Sequence, residues 1–335
     1  MGKTILVTGG LGYIGSHICV ELLKQNYQVV ATFVNLKNQT KIIEAINKIT
    51  KKNIDVIETD FLENGSINNI FKLFNIDSVI HLYGSKSILN SIKKPLIDYK
   101  KNVVTTLNLL EVMQYNQVNK IIFSSSSSVY GNITKMPITE VSKLYPNNPY
   151  SKSKVFIENV LSDLSTNNTN FKALTLRYFN PAGAHNSGLI GESVRGVPNN
   201  LMSYIPLSIM GIVPKLKVFG SNYATRDGSC IRDYVHVCDI AKATVNAVKK
   251  LDSNIKYQNI NICSNNPYSV FEVIQAFSKV IRQEILFEIK GKRQGDIAIS
   301  YGDNNLAKEL LNWKATAKLS QMCKDTWRWY SQNYE

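Results

Sequence analysis

A doubly wound α/β chain, with a parallel sheet covered on both faces and a smaller α/β region after it, is predicted by three observations. Short β-branched runs alternate with amphipathic stretches through the first half. A glycine-rich turn joins the first run to the first amphipathic stretch, and past Asn180 the texture changes to loops rich in Pro and Gly. Strands separated by helices argue for parallel pairing, because parallel neighbours need long crossover connections.

The strands expected in order are Thr4 to Val7, Gln28 to Ala31, Ile54 to Ile57, Ser78 to His81 and Lys120 to Ser124. Ser16 to Gln25 and Val103 to Gln114 read as helices between them, and a further helix is expected to start near Pro149. Beyond Asn180 come Pro181, Gly183, Gly188, Gly191, Gly196 and Pro198, then a helix around Val235 to Lys250 and a strand around Asn259 to Cys263. The 335 residues exceed the usual size of one domain. The expected division is a Rossmann-type nucleotide-binding domain over residues 1–180, rejoined by segments near 230–265, and a mainly substrate-binding domain over 181–335. No fixed-period repeat is present.

Formal net charge is +14, but the lysines are scattered and form no basic block. This describes a solvated surface rather than a nucleic-acid arm, with a field that helps draw in an anionic ligand. Five cysteines without a close C-x-x-C pair indicate free thiols in a reducing compartment. The chain passes from Lys3 into a strand and then glycines, with no secretory apolar region and no run long enough to span a membrane. A cytoplasmic protein with neither membrane nor nucleic-acid partner is expected. The sequons at Asn38, Asn64 and Asn132 are then chance matches. His17, His81, His185 and His236 lack metal-ligand spacing, so no metal is expected, and Trp313, Trp327 and Trp329 read as packing.

Gly9, Gly12 and Gly15 stand in G-x-x-G-x-x-G spacing after the first strand. Glycine permits the tight turn and the close backbone approach a pyrophosphate needs, and the helix that follows offers unpaired N–H groups to the anion. NAD binding normally adds a carboxylate at the end of the second strand for the adenosine ribose. Here Thr32, Phe33 and Val34 supply none; Asn35 offers a neutral contact, and Lys37 leaves NADP as an alternative. Asp60 and Phe61, after the third strand, are expected beside adenine.

Tyr150 and Lys154 are four residues apart and share one face of the expected helix. A nearby ammonium favours the phenolate, which turns tyrosine into a usable base. The serine run Ser124 to Ser128 lies at the carboxyl end of a strand, where such sheets bind ligands, and Ser126 is the chosen hydroxyl partner.

With Val129-Tyr130-Gly131, Arg177 to Gly183, Val197 to Ile205, Val218 to Gly220, Ile231 to Val237 and Arg293 to Asp296 added, nearly the whole chain resembles the UDP-glucose 4-epimerases among the extended short-chain dehydrogenases. The resemblance implies interconversion of UDP-galactose and UDP-glucose through a 4-keto intermediate, with tightly bound NAD. It implies Tyr150 as acid/base, Lys154 on the nicotinamide ribose and Ser126 on the 4-hydroxyl. It also implies Gly9, Gly12, Tyr13, Ile14, Gly15, Lys86, Asn102 and Tyr178 at the cofactor. Lys86, Asn180, Asn200, Leu201, Lys217, Val218, Phe219, Arg232, Arg293, Asp296 and Ser300 would face the UDP-hexose. A homodimer formed through helix Val103 to Gln114 and the Tyr150 helix is implied too. Ser300 stands where some members carry a tyrosine, so N-acetylated UDP-hexoses are expected to fit, whereas Tyr83 is bulkier than the family's usual alanine. Two alternatives remain: another nucleotide-sugar enzyme, such as a dehydratase or decarboxylase, and a non-catalytic sugar-nucleotide sensor. Ser127 and Ser128 stand where dehydratases carry their carboxylates, which argues against elimination chemistry.

Overall fold

The computed structural model describes residues 2–34, 39–194, 196–198, 200–293 and 296–334. The first half runs β1 (Thr4–Thr8), α1 (Tyr13–Lys24), β2 (Gln28–Phe33), α2 (Thr40–Thr50), β3 (Asp55–Glu58), α3 (Asn64–Leu73), β4 (Ser78–His81), α4 (Ile88–Lys93), α5 (Pro95–Tyr99), α6 (Thr105–Tyr115), β5 (Lys120–Ser126), α7 (Pro149–Asn167) and β6 (Lys172–Tyr178). The remainder runs β7 (Asn180–Ala182), α8 (Leu201–Ile209), β8 (Leu216–Phe219), β9 (Ile231–Arg232), β10 (Tyr234–His236), α9 (Val237–Lys250), β11 (Tyr257–Ile262), β12 (Tyr268–Ser269), α10 (Val270–Ile281), β13 (Phe287–Lys290), β14 (Ile299–Ser300), α11 (Asn305–Leu311) and α12 (Leu319–Asn333).

Seven strands form one sheet in the order β11-β6-β5-β4-β1-β2-β3, and every pairing in it is parallel. The order reverses at β1, which has β2 on one side and β4 on the other, so a crevice opens beyond their carboxyl ends. β1 and β4 are buried throughout, as strands covered on both faces must be. One face is packed by Ile18, Leu22, Ile240 and Val245 of α1 and α9, the other by Ile67, Ile70, Leu109, Met113, Ile157 and Leu161 of α3, α6 and α7.

The second region has three small sheets, β10-β7, β12-β9-β14 and β13-β8. They gather around a core that includes Met202, Ile205, Leu216, Val273, Phe277 and Met322. β11, at the edge of the main sheet, pairs with β6 from Tyr257↔Ala173 to Ile262↔Tyr178.

Two boundaries differ from expectation for physical reasons. α1 starts at Tyr13 rather than Ser16, because the glycine turn itself feeds the first helical turn. The helix expected from Val103 is entered through α5 and a π-turn over Lys100–Val104. That wider turn carries Asn102 inward, where its Oδ1 accepts the Ser85 N–H at 2.7 Å.

Candidate active site

The glycine turn is built for close approach. Gly9 has φ of +67°, and a Cβ at Gly15 would run into the Gly9 carbonyl oxygen. α1 therefore begins against the end of β1, with Gly12 as N-cap and no acidic residue in its first turn. The backbone N–H groups of Tyr13, Ile14 and Gly15 lie in that first turn, where a helix has no carbonyl partners of its own. The Tyr13 side chain turns away and donates to the Gly183 carbonyl at 2.6 Å, tying the turn to the second region.

These residues fit the pyrophosphate of a dinucleotide, but the adenosine end is less usual. β2 ends at Phe33 and the exposed Val34, and Asn35 and Lys37 lie outside the described residues. Asp60 is exposed, while Phe61 is fully buried beneath Tyr83, whose ring stacks on it at 4.7 Å. Thus Phe61 supports Tyr83, and Tyr83 presents the open surface.

Across the crevice, Asn148 and Ser151 form a reciprocal cap that starts α7 at Pro149. This start sets Tyr150 and Lys154 on the face toward β5. Tyr150 is half-buried. Burial raises its phenol pKa, the Ser126 hydroxyl beside it acts in the opposite direction, and Asp98 raises it further. The net shift is upward, and the lowering expected from Lys154 is not among its causes in the protein by itself. Lys154 Nζ donates to the Ser124 carbonyl at 2.8 Å and sits 4.6 Å from the Phe123 ring centroid and 5.7 Å from that of Tyr150. Its burial lowers the ammonium pKa to about 8, while Asp98 and Glu158 favour the charged form.

A carboxylate stands behind each side of this lysine. Asp98 is buried, accepts from Asn102 Nδ2 at 3.0 Å, and has its other oxygen without a hydrogen-bond partner among the described residues. Asn102 Nδ2 also reaches Ser153 Oγ at 3.3 Å, joining the π-turn to α7. Glu158 accepts from Ser125 at 2.6 Å and from Arg177 Nε and Nη2 at 3.0 and 2.6 Å. Ser126, the next serine, accepts from the Ser128 N–H at 3.2 Å, so part of the serine run caps a short 3-10 turn.

On the far side, β14 lies beside β9 with Ser300 in register with Arg232. Arg293 stacks over Phe219 at 3.9 Å and has Nε 3.7 Å from Asp296. Asn200 caps α8 through Met202 N–H at 3.1 Å, with Leu201 beginning the helix. Asn180 Nδ2 donates to the Asp233 carbonyl at 2.8 Å. Lys217 is exposed, whereas the Val218 side chain belongs to the core and leaves only its backbone for a ligand. Tyr178 is likewise buried, with its hydroxyl engaged by Thr244 at 2.8 Å.

Thus Ser126, Tyr150, Lys154 and Asn102 converge and Gly9 to Gly15 lie across the crevice, whereas Arg232 and Arg293 keep separate neighbours, Ser300 and Phe219, in the second region. Lys86 crosses toward the second region to meet Glu192 at 2.8 Å. Sequence reasoning missed Asp98, Glu158 and Glu192. The first two carried a signal: Asp98 precedes Asn102 by four and Glu158 follows Lys154 by four, the helical spacing for side-chain pairs. Among the described residues no His, Cys, Asp or Glu group could hold a metal.

The protein-family model described as GDP-mannose 4,6 dehydratase matches residues 6–326. A UDP-glucose 4-epimerase from Bacillus subtilis (strain 168) is 42% identical, over 98% of this chain and 97% of its own length. A solved UDP-glucose 4-epimerase from Stenotrophomonas maltophila, with bound NAD and formylated UDP-arabinopyranose, is 39% identical with a TM-score of 0.96 over 98% of each chain. A second, from Bifidobacterium longum in complex with NAD+ and UDP, is 38% identical with a TM-score of 0.93 over 99% of each. Full-length similarity to epimerases, together with serines at the places where a dehydratase needs its carboxylates, decides between the two names, and the chain belongs to the UDP-glucose 4-epimerase family of extended short-chain dehydrogenases.

Proposed function

We propose that the protein interconverts UDP-galactose and UDP-glucose by inverting carbon 4, with NAD held throughout the cycle. The observation that carries this reading is the meeting of Ser126, Tyr150 and Lys154 at the carboxyl end of β5, across the crevice from the glycine turn. Bound NAD supplies a hydride acceptor and donor at carbon 4 and a positive charge near Tyr150, leaving no net redox change. Tyr150 takes the 4-hydroxyl proton as the ketone forms and returns it when the opposite face is reduced. Ser126 holds the 4-oxygen in line with the phenol. Lys154, kept charged by Asp98 and Glu158, stabilises the phenolate against the burial that opposes it.

Residues 1–180, with the segments near 230–265, form the cofactor half, and 181–335 mainly the UDP-hexose half. The backbone of Gly9 to Gly15 takes the pyrophosphate of NAD, with Asn102, Lys86 and the backbone of Tyr178 toward its nicotinamide end and Asp60 toward adenine. Arg232 and Arg293 pair with the UDP phosphates, and Asp296 accepts from ribose hydroxyls. The hexose is held more loosely, so that its 4-keto form can turn over between the two transfers. Purified protein incubated with UDP-galactose and no added NAD should form UDP-glucose, quantified by chromatography. No product with or without NAD or NADP would overturn the reading.

The small Ser300 beside Arg232 supports a wider substrate range that includes UDP-GalNAc and UDP-GlcNAc. Ser300→Tyr should abolish turnover of the N-acetylated pair while sparing UDP-galactose; equal loss on both would sink the assignment. A cytosolic homodimer completes the proposal. No helix among the described residues is long and apolar enough to cross a membrane, and all five cysteines are free. Ile88, Leu89, Ile92, Leu96, Ile97, Val104 and Phe156 leave apolar surface exposed across α4, α5, the π-turn and α7.

A further inference from the structure

We propose that Glu192 is a positioning residue that braces the cleft, fixing Lys86 of the cofactor half against the amino-terminal end of α8 in the UDP-hexose half. The proposal deepens the epimerase reading and rests on it. Glu192 Oε1 accepts from Lys86 Nζ at 2.8 Å, and Oε2 accepts from Asn200 Nδ2 at 3.2 Å and from the Ser203 hydroxyl. One carboxylate thereby gathers donors from the loop after β4 and from both the cap and the first turn of α8.

Stability is a poor explanation for this pair. The Glu192 side chain is 12% exposed but that of Lys86 is 74% exposed, and an ion pair with one partner in solvent contributes little to folding. The backbone of Glu192 is firmly anchored: its carbonyl accepts from Trp329 Nε1 at 3.1 Å and from the Tyr330 hydroxyl at 2.9 Å. Gly191 makes this possible, since a Cβ there would run into the Trp329 ring. The carboxylate is therefore fixed first, and the long Lys86 side chain comes to it.

The same carboxylate sets the orientation of an amide. Asn200 caps α8 with its Oδ1, while its Nδ2 divides between Glu192 and the Pro181 carbonyl at 3.3 Å. An amide flipped end for end would turn its NH2 toward the helix N–H groups and lose the cap. An acceptor-only carboxylate opposes that flip, and a neutral glutamine does so less strongly. Glu192 thus controls the direction of the Lys86 ammonium and the presentation of the α8 amino terminus together. An enzyme that anchors UDP while its hexose turns over needs that relation held constant.

The test is a double-mutant cycle with E192Q and K86M, read as KM and kcat for UDP-galactose, melting temperature and the NAD retained after purification. E192Q and K86M should each raise KM about tenfold, the loss of one charge-assisted hydrogen bond. The double variant should be no worse than the more damaging single one, because both changes break the same link. Melting temperature should stay at the wild-type value in all three variants and retained NAD at the wild-type value in E192Q, and the coupling should shrink as salt rises. Additive effects, or an unchanged KM in E192Q, would overturn the proposal. E192D, which keeps the charge but draws it back from Lys86, is the second variant should E192Q fold poorly; wild-type KM in E192D likewise overturns it. Calorimetric titration of UDP into the same proteins reads the coupling without turnover, so failure of the epimerase reading and failure of the brace give separate results.

Discussion

In the proposed cycle, Tyr150 is the side chain that carries the proton. Its raised pKa means that burial must be offset by the charge of Lys154 and the Ser126 hydroxyl. Tyr150→Phe removes the proton carrier but keeps the ring, so kcat should fall about 10²- to 10⁴-fold while UDP affinity changes little. Steady-state kinetics with calorimetric titration of UDP checks both halves of this prediction. That Tyr150, Lys154 and Ser126 would meet was legible because a four-residue helical spacing and a strand-end serine run are local signals. The charges behind them were less so. Asp98 meets Asn102 only four residues away, but what else Glu158 and Glu192 meet depends on chain segments far away in sequence, as when Glu158 meets Arg177 and Glu192 meets Lys86.

At the scale of elements, α7 is joined to the sheet by a charge as well as by apolar packing. The Glu158–Arg177 pair is almost fully buried and hydrogen-bonded through both carboxylate oxygens, and Arg177 Nη1 also donates to the Tyr130 hydroxyl at 2.9 Å. Removing one partner strands a buried charge, so Glu158→Ala should lower the unfolding free energy by about 3 kcal/mol, measured by urea denaturation. Six of the seven main-sheet strands were legible from short runs, β6 being the exception, and the start of α7 was legible from Pro149. The π-turn before α6 was not. Nothing in Lys100 to Val104 departs from a helical pattern, and the register change is visible only in where Asn102 points.

At the scale of the whole molecule, acid should weaken the fold. Burial lowers the pKa of His17 and of His81 to about 3 from the usual 6.5, so both imidazoles stay neutral in the folded protein. The unfolded chain takes up those protons below pH 6.5, so stability is lost as pH falls from 6.5 toward 3, by up to about 1.4 kcal/mol per pH unit for each histidine. Thermal melting across pH 7 to 4 should follow that slope, and replacing His17 with Gln should flatten it. The exposed apolar surface across α4, α5 and α7 makes a separate prediction: the parent should sediment as a dimer and a Leu96→Glu, Ile92→Glu double variant as a monomer. The fold class was legible because the strand–helix alternation and the glycine turn are both local. The small sheets were not, because β9, β12 and β14 have only two residues each.

The path of the chain limits how this scaffold can change. It leaves the main sheet after β6, returns as α9 and β11, leaves again through β12 to β14, and comes back once more as α11, which packs on α9 and β11. A recombination event that imported another sugar-recognition half would have to replace several separated stretches at once, and each junction would cut through the packing of the main sheet. Inheritance of a new sugar preference by exchange of a whole module is therefore closed to this architecture. Diversification has to proceed by single substitutions, while the interlaced frame is passed on intact.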